Sequence, residues 1–287
     1  MSLTAALLQM SSSDDPADNL TRTVGYLDEA ARLGAQLALT PEVTNCVSFD
    51  RALQERVLEP EDRDTTLAGL RDAAARLGIW VLIGSLALKT DDPEGRFANR
   101  SFLIDPTGAI CARYDKIHMF DVQVSETETY RESAGFRPGA QAVVAQTPLA
   151  VVGMSICYDL RFAHLFRSLA NAGAEVLSIP AAFSPVTGVA HWRSLLRARA
   201  IETGCYVLAP AQTGRHACSA GRARTTYGHS MAVGPWGDVL LDMGTAPGVG
   251  IVHLDLAQVA DARNRVPALF HDRAFETAVI SSAKDDA

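Results

Sequence analysis

The chain has no C-x-x-C pair, and its five cysteines, Cys46, Cys111, Cys157, Cys205 and Cys218, are an odd number at wide spacing. Neither a disulfide framework nor a zinc ribbon is indicated, so each thiol has to be judged by its own surroundings. There is no excess of positive charge either: 26 Lys and Arg stand against 33 Asp and Glu, for a formal net charge of −7. Nucleic-acid binding needs an electropositive footprint, so nucleic acid is not an expected partner and a small molecule is. The opening MSLTAALLQMSSSDD lacks Lys or Arg ahead of its apolar run, which stops at Met10. Neither a secretory leader nor a membrane span is expected from it, and the expected compartment is the cytoplasm. None of the seven histidines falls in an H-E-x-x-H or H-x-H pattern, so no metal and no cofactor are expected.

What the sequence does contain is alternation. TAALLQM reads as a strand, and behind the start signal Asp14, Asp15, Pro16 the residues Leu20, Val24, Leu27 and Ala31 recur at helical spacing. AQLALTPE is the next strand, Leu67, Leu70, Ala74 and Leu77 mark a helix, IWVLIGSLAL is a strand, and NRSFLIDPTGAICARYDK is a hairpin turning at Asp105, Pro106, Thr107 and Gly108. The pattern then restarts with strand LAVVGMSI, a helix from about Phe162 to Ala172, strand EVLSIPAAF and a helix from about Ala190 to Thr203. Strands YVLAPAQ, GHSMAVGP and GIVHLDL follow. One local match supports a repeat: GAQLALTPE at 34–42 aligns with GAEVLSIPA at 173–181, each a helix end, a Gly-Ala turn, a buried strand and a proline. The expected fold is therefore α/β, two related halves, each a sheet covered by helices and packed sheet against sheet. No low-complexity linker separates the halves, so 1–287 reads as a single domain with a core of about 5–275; the tail, about 276–287, is left for flexibility or an oligomer interface.

Ligands of layered α/β folds collect beyond the carboxyl ends of strands, and three such ends carry reactive groups: Glu42 after LALTP, Lys116 after ICARYD and Cys157 after VVGMSI. A carboxylate, an amine and a thiol at neighbouring strand ends supply a base, a cation and a nucleophile for acyl transfer. Taken singly, each has a plainer reading. A thiol after an apolar strand is usually inert, Glu42 fits a solvated turn, and Lys116 fits a strand-edge gatekeeper. A dyad of Cys157 with His164 or His191 is a competing arrangement, although both histidines fall on expected helices.

The segments TPEVTN, RYDKIHMFD and ICYDLRF, in that order, resemble the Glu, Lys and Cys motifs of the nitrilase superfamily of carbon–nitrogen hydrolases. YRESAGFRPG resembles the segment bearing the family's second glutamate, here Glu132, and GHSMAVGPWGDVL is similar near the end, so that about Ala5 to Phe275 is covered. The resemblance implies a four-layer α-β-β-α sandwich that dimerises, with Glu42 as base, Cys157 as nucleophile, Lys116 and the Tyr158 backbone N–H facing the oxyanion, and Glu132 holding Lys116 charged and oriented. The other four cysteines match no motif.

Substrate class is less constrained, since one fold serves many substrates. The segment GRHACSAGRARTTYGHS, residues 214–230, has three arginines and no acidic residue. It reads either as a solvated face or as a rim that attracts anions. With AFSPVTGVAHWRSLLRARAIETGCYVLAPAQTGRH, it resembles the branch whose members cleave the terminal amide of deaminated glutathione. That implies an amidase acting through a Cys thioester on the terminal carboxamide of a 2-oxo acid, with release of ammonia. Arg161, Phe183 and Thr187 would line the acyl pocket, and Arg215 or Arg224 would meet the peptide-like tail. The alternatives are an ω-amidase acting on 2-oxoglutaramate, a hydrolase of carbamoyl amino acids or nitriles, and a binding protein without catalysis.

Overall fold

The computed structural model describes residues 2–280 apart from 125 and 127. In chain order the elements are β1 (Ser2–Gln9), α1 (Pro16–Arg32), β2 (Leu37–Leu39), α2 (Arg51–Val57), α3 (Thr65–Leu77), β3 (Trp80–Leu88), β4 (Ala98–Ile104) and β5 (Ile110–Asp115). The ribbon β6 (Asp121–Gln123) and β7 (Thr129–Arg131) precedes β8 (Val143–Gln146), β9 (Val151–Met154), α4 (Ala163–Asn171), β10 (Val176–Ser178), α5 (Pro185–Thr203) and β11 (Tyr206–Ala209). A second ribbon, β12 (Thr213–Arg215) and β13 (Thr225–Tyr227), leads to β14 (Met231–Val233), β15 (Val239–Asp242), β16 (Gly248–Asp255) and α6 (Ala257–Arg265).

Two six-stranded sheets result, ordered β16-β1-β2-β3-β4-β5 and β15-β14-β11-β10-β9-β8. Period-2 alternation sorts their side chains into layers. In the first sheet Ala6, Leu8, Ala38, Val81 and Ile83 face Leu27, Ala30, Leu67 and Leu70 of α1 and α3. Their neighbours Ala5, Leu7, Leu37, Leu39 and Leu82 face the other way, onto Val152, Val176, Tyr206 and Leu208 of the second sheet. Beyond these, Met154, Leu177 and Val207 pack under Phe166 and Leu169 of α4 and Trp192 and Leu196 of α5. The layers run helix, sheet, sheet, helix, as expected, and each fully buried Leu or Phe side chain contributes about 1.5–3 kcal/mol through removal from water.

Local signals placed most elements. Asp15 caps α1, its side chain accepting from the Ala17 and Asp18 N–H groups, and Asp105 accepts from the Thr107 and Ala109 N–H groups at 2.8 and 3.0 Å in the hairpin turn. Two expectations need correcting. The strand GIVHLDL, read as part of the second half, is β16 and pairs antiparallel with β1 in the first sheet. The helix expected from about Ala190 begins at Pro185, because Ser184 and a proline at the first helical position form its start. The short helix α2 and the edge strands β8 and β15 had no counterpart in the sequence reading. Of the expected tail, residues 276–280 are exposed, and 281–287 lie outside the described residues.

Candidate active site

The first sheet delivers Glu42 beyond the end of β2. Its turn is held from all sides: Val43 N–H donates to Ser85 Oγ at 2.8 Å, and Thr44 N–H to the Ser85 carbonyl at 2.9 Å. Val43 sits at φ +47°, a conformation that a β-branched residue resists and that persists only where the surroundings enforce it. Gly84 makes the close approach of the two halves feasible, since a Cβ there would lie 2.0 Å from the Thr40 carbonyl oxygen and 2.5 Å from the Pro180 Cβ.

Lys116 follows β5 and is buried, with 2% exposure. Its Nζ donates to Glu42 Oε1 at 2.8 Å and to Glu132 Oε1 and Oε2 at 2.9 and 2.8 Å. Glu132 Oε2 also accepts from the Phe120 N–H at 2.7 Å. The remaining Glu42 oxygen, Oε2, accepts from the Ala182 N–H at 2.9 Å, so the second half grips the carboxylate that the first half presents. Cys157 opens a 3-10 turn after β9 at φ +51°, its N–H donating to the Pro180 carbonyl at 2.8 Å. The following Tyr158 N–H meets no acceptor among the described residues.

Electrostatics fix the resting protonation of the trio. Burial pushes the Glu42 carboxyl up, but the Lys116 ammonium, Arg224 and the hydrogen bond from Lys116 hold it below the ordinary carboxylate value. Burial, followed by the Glu42 charge, drives the Cys157 thiol well above its usual value despite Lys116. Burial opposes the charge on Lys116, yet Glu132 and Glu42 raise it, so the amine stays an ammonium. The site therefore rests as thiol, carboxylate and ammonium.

A cavity of about 460 Å³ opens onto this trio. Among the expected site residues, Glu42, Lys116, Glu132, Cys157, Tyr158, Phe183, Thr187 and Arg224 line it. Arg224 Nη2 donates at 2.6 Å to the carbonyl of Ala182, the residue whose N–H holds Glu42, so its charge lies at the reacting end of the cavity. Two expected residues are not brought in. Arg161 turns to His191, with Nη1 and Nη2 3.3 Å from Nδ1, and Arg215 is exposed at the end of β12, outside the cavity wall. The competing histidines His164 and His191 do not line the cavity either.

Several wall residues carried no readable signal in the sequence. Asn99 of β4 is buried, and its Nδ2 donates to Glu42 Oε1 at 3.0 Å and to Glu132 Oε1 at 3.3 Å, bridging the two carboxylates that share one ammonium. Phe49 and Arg51 also line the cavity, as do Tyr130 and Arg131 from the segment that bears Glu132. Cys46 also reaches it, but burial pushes its thiol up to about 12, which leaves it a poor nucleophile. Cys205 is buried beside Arg263, Cys111 is exposed and Cys218 is partly exposed.

A Cys–Glu–Lys cluster between two packed α/β sheets defines a class, and the comparisons agree with it. The chain belongs to the carbon–nitrogen hydrolase family, whose family model matches residues 4–264, and it is accordingly a hydrolase of carbon–nitrogen bonds. It is 41% identical to the deaminated glutathione amidase of Yersinia enterocolitica over 93% of this chain and 92% of that one. Among solved structures it superposes on the Caenorhabditis elegans NitFhit protein with a TM-score of 0.86 at 32% identity, covering 95% of this chain and 65% of that longer one. It also matches a variant of the amidase from Nesterenkonia sp. AN1 in which acrylamide has added to the active-site cysteine, with a TM-score of 0.74, 26% identity and coverage of 92% and 98%.

Proposed function

We propose that the protein is an amidase that hydrolyses deaminated glutathione through a thioester on Cys157. Glu42 takes the thiol proton as Sγ attacks the amide carbonyl. The oxyanion forms between Lys116 Nζ and the Tyr158 N–H, and such preorganised donors each contribute about 3 kcal/mol to the transition state. Protonated Glu42 returns its proton to the departing amine, then accepts one from the water that opens the thioester. Glu132 and Asn99 keep Lys116 and Glu42 in register throughout.

The leaving group follows from the substrate's covalent structure. In deaminated glutathione the amide carbonyl of the 2-oxo acid is bonded to the nitrogen of a cysteinylglycine unit, so the departing amine is that dipeptide. Ammonia departs when the substrate is a primary amide such as 2-oxoglutaramate. The observation that carries the reading is the resting thiol–carboxylate–ammonium trio at the floor of a cavity of about 460 Å³, roomier than 2-oxoglutaramate requires. Arg224, at the reacting end, is suited to the carboxylate of the 2-oxo acid, with Phe183 and Thr187 beside the acyl chain. The names of the similar proteins support the same substrate.

We further assign the protein to the cytoplasm as a homodimer. No helix among the described residues is long and apolar enough to cross a membrane, and Val186, Val189 and Ile201 on α5 expose apolar surface together with Trp236. Sedimentation at micromolar concentration tests the dimer. For the activity, kcat/KM is to be compared for deaminated glutathione, 2-oxoglutaramate, a carbamoyl amino acid and a simple nitrile. Deaminated glutathione is expected to lead by about 10-fold or more, the effect of binding energy from the dipeptide used at the reacting centre; an equal or lower value than 2-oxoglutaramate would overturn the assignment.

A further inference from the structure

Asp159 has 0% exposure, and the chemistry above makes no use of it. Its Oδ2 accepts from the Ile156 N–H at 2.9 Å and from the Tyr114 hydroxyl at 2.6 Å. Its Oδ1 accepts from the His118 N–H at 3.1 Å and lies 2.7 Å from His118 Nδ1. Tyr114 and His118 flank Lys116 at two residues on either side, while Ile156 directly precedes Cys157. One carboxylate thus joins the segment that carries the ammonium to the turn that carries the thiol. The His118 ring is closed in from the far side by Phe162, stacked at 3.5 Å between centroids.

A buried charge is a poor means of gaining stability, because its desolvation offsets most of what its partners return, and an apolar replacement is often neutral. Nor do the charges that set the Cys157 thiol include Asp159; they are Glu42 and Lys116. What a four-partner carboxylate supplies is geometry. Cys157 is held in a conformation disfavoured for a residue with a Cβ, and Lys116 has to face the oxyanion that forms above it. We propose that Asp159 is a positioning residue that locks the Cys157 turn to the Lys116 segment, fixing the spacing between nucleophile and oxyanion donor. The proposal rests on the catalytic reading of Cys157 and Lys116.

Asp159→Asn keeps the volume but replaces one acceptor by an NH2 group, which cannot satisfy both the Ile156–Tyr114 side and the His118 side. The expected result is a kcat about 100-fold lower, the size of effect produced by a misplacement of about 1 Å, with KM within about 3-fold, a thermal midpoint close to wild type, and a slower reaction of Cys157 with iodoacetamide. Tyr114→Phe removes a single donor without opening a cavity and should lower kcat by about 3–10-fold with KM unmoved. Wild-type kcat in folded Asp159→Asn overturns the proposal, as does a loss that merely tracks the thermal midpoint. Should Asp159→Asn fail to fold, Tyr114→Phe decides, and full kcat in that variant overturns it. Iodoacetamide reads the thiol without any substrate, so a wild-type enzyme inactive on both 2-oxo acid amides would refute the proposed function while the alkylation rates still test Asp159.

Discussion

Strand for strand, β16-β1-β2-β3-β4-β5 of the first half matches β8-β9-β10-β11-β14-β15 of the second, with antiparallel, parallel, parallel, antiparallel and antiparallel pairings in the same order. The likeness extends to the turns: Gly34 and Gly173 sit at φ +85° and +96° ahead of β2 and β10, and Pro41 and Pro180 follow those strands. There the halves part. Pro41 is followed by Glu42, whereas Pro180 is followed by Ala181 and Ala182, whose backbone serves as a hydrogen-bonding wall. β9 runs out into Cys157, whereas β1 runs out into Met10, which pairs across the seam with Ala211 and Thr213. The repeat supplies a scaffold twice, and the proposed catalytic groups are divided so that neither half holds all of them.

That division can be probed most severely at the thiol. Cys157→Ala removes the proposed nucleophile and should lower turnover by at least about 10⁴-fold with the fold intact; hydroxylamine added to wild-type turnover should yield a hydroxamate from the acyl group. In the first half, Glu42→Gln and Lys116→Met should each cost about 10²–10⁴-fold in kcat. An effect confined to KM would assign that residue to uniform binding instead. On the anion side, Arg224→Met should reduce kcat/KM by about 10–100-fold on both deaminated glutathione and 2-oxoglutaramate, as for a lost charge-assisted contact at the shared end. Arg215→Ala should change neither, and a selective loss on the longer substrate would return Arg215 to the binding surface.

Smaller effects separate the seam from the interior of a half. His216 lies at the seam, its Nδ1 2.7 Å from the Ser12 carbonyl and its Nε2 2.8 Å from Thr226 Oγ1, and burial pushes its pKa down to about 4. An unfolded histidine titrates near ~6.5, so the unfolded chain takes up this proton first; the stability His216 provides is complete above about pH 6.5 and fades as pH falls toward 4. Asp64, inside the first half at the N-cap of α3, has the opposite sign. Burial raises it to about 6, so its contribution is present below its unfolded value and lost as pH rises through 6. Thermal midpoints from pH 4 to 7 should therefore lose their acid-side fall in His216→Gln, while Asp64→Asn, which keeps a capping side chain, should gain about 1 kcal/mol at neutral pH.

Much of this architecture was legible because its signals are local. Asp15, Asp105 and the paired Gly-Ala turns act within a few residues of themselves, and the three reactive groups fall where strands end. The misplaced strand GIVHLDL shows the limit, since alternation specifies a strand's faces but not its neighbours. Arg215 and Arg224 sit in one basic run, yet Arg215 at the end of β12 is exposed whereas Arg224, just ahead of β13, lines the cavity. Asn99 and Asp159 are single polar residues without periodicity, and their importance comes from partners far away in the chain.

Ser2, the first residue of β1, pairs with Asp255, the last residue of β16, in an antiparallel ladder. During synthesis from the N-terminus, β1 is made long before β16 and waits as a bare sheet edge until β16 has left the ribosome. Contacts of such separation are formed late and at high loop-closure cost, and an unpaired apolar edge is where nascent chains stick to one another. The hydrolase should thus fold slowly and depend on chaperone protection of its N-terminal sheet, with the last long strand acting as the latch that ends the exposure.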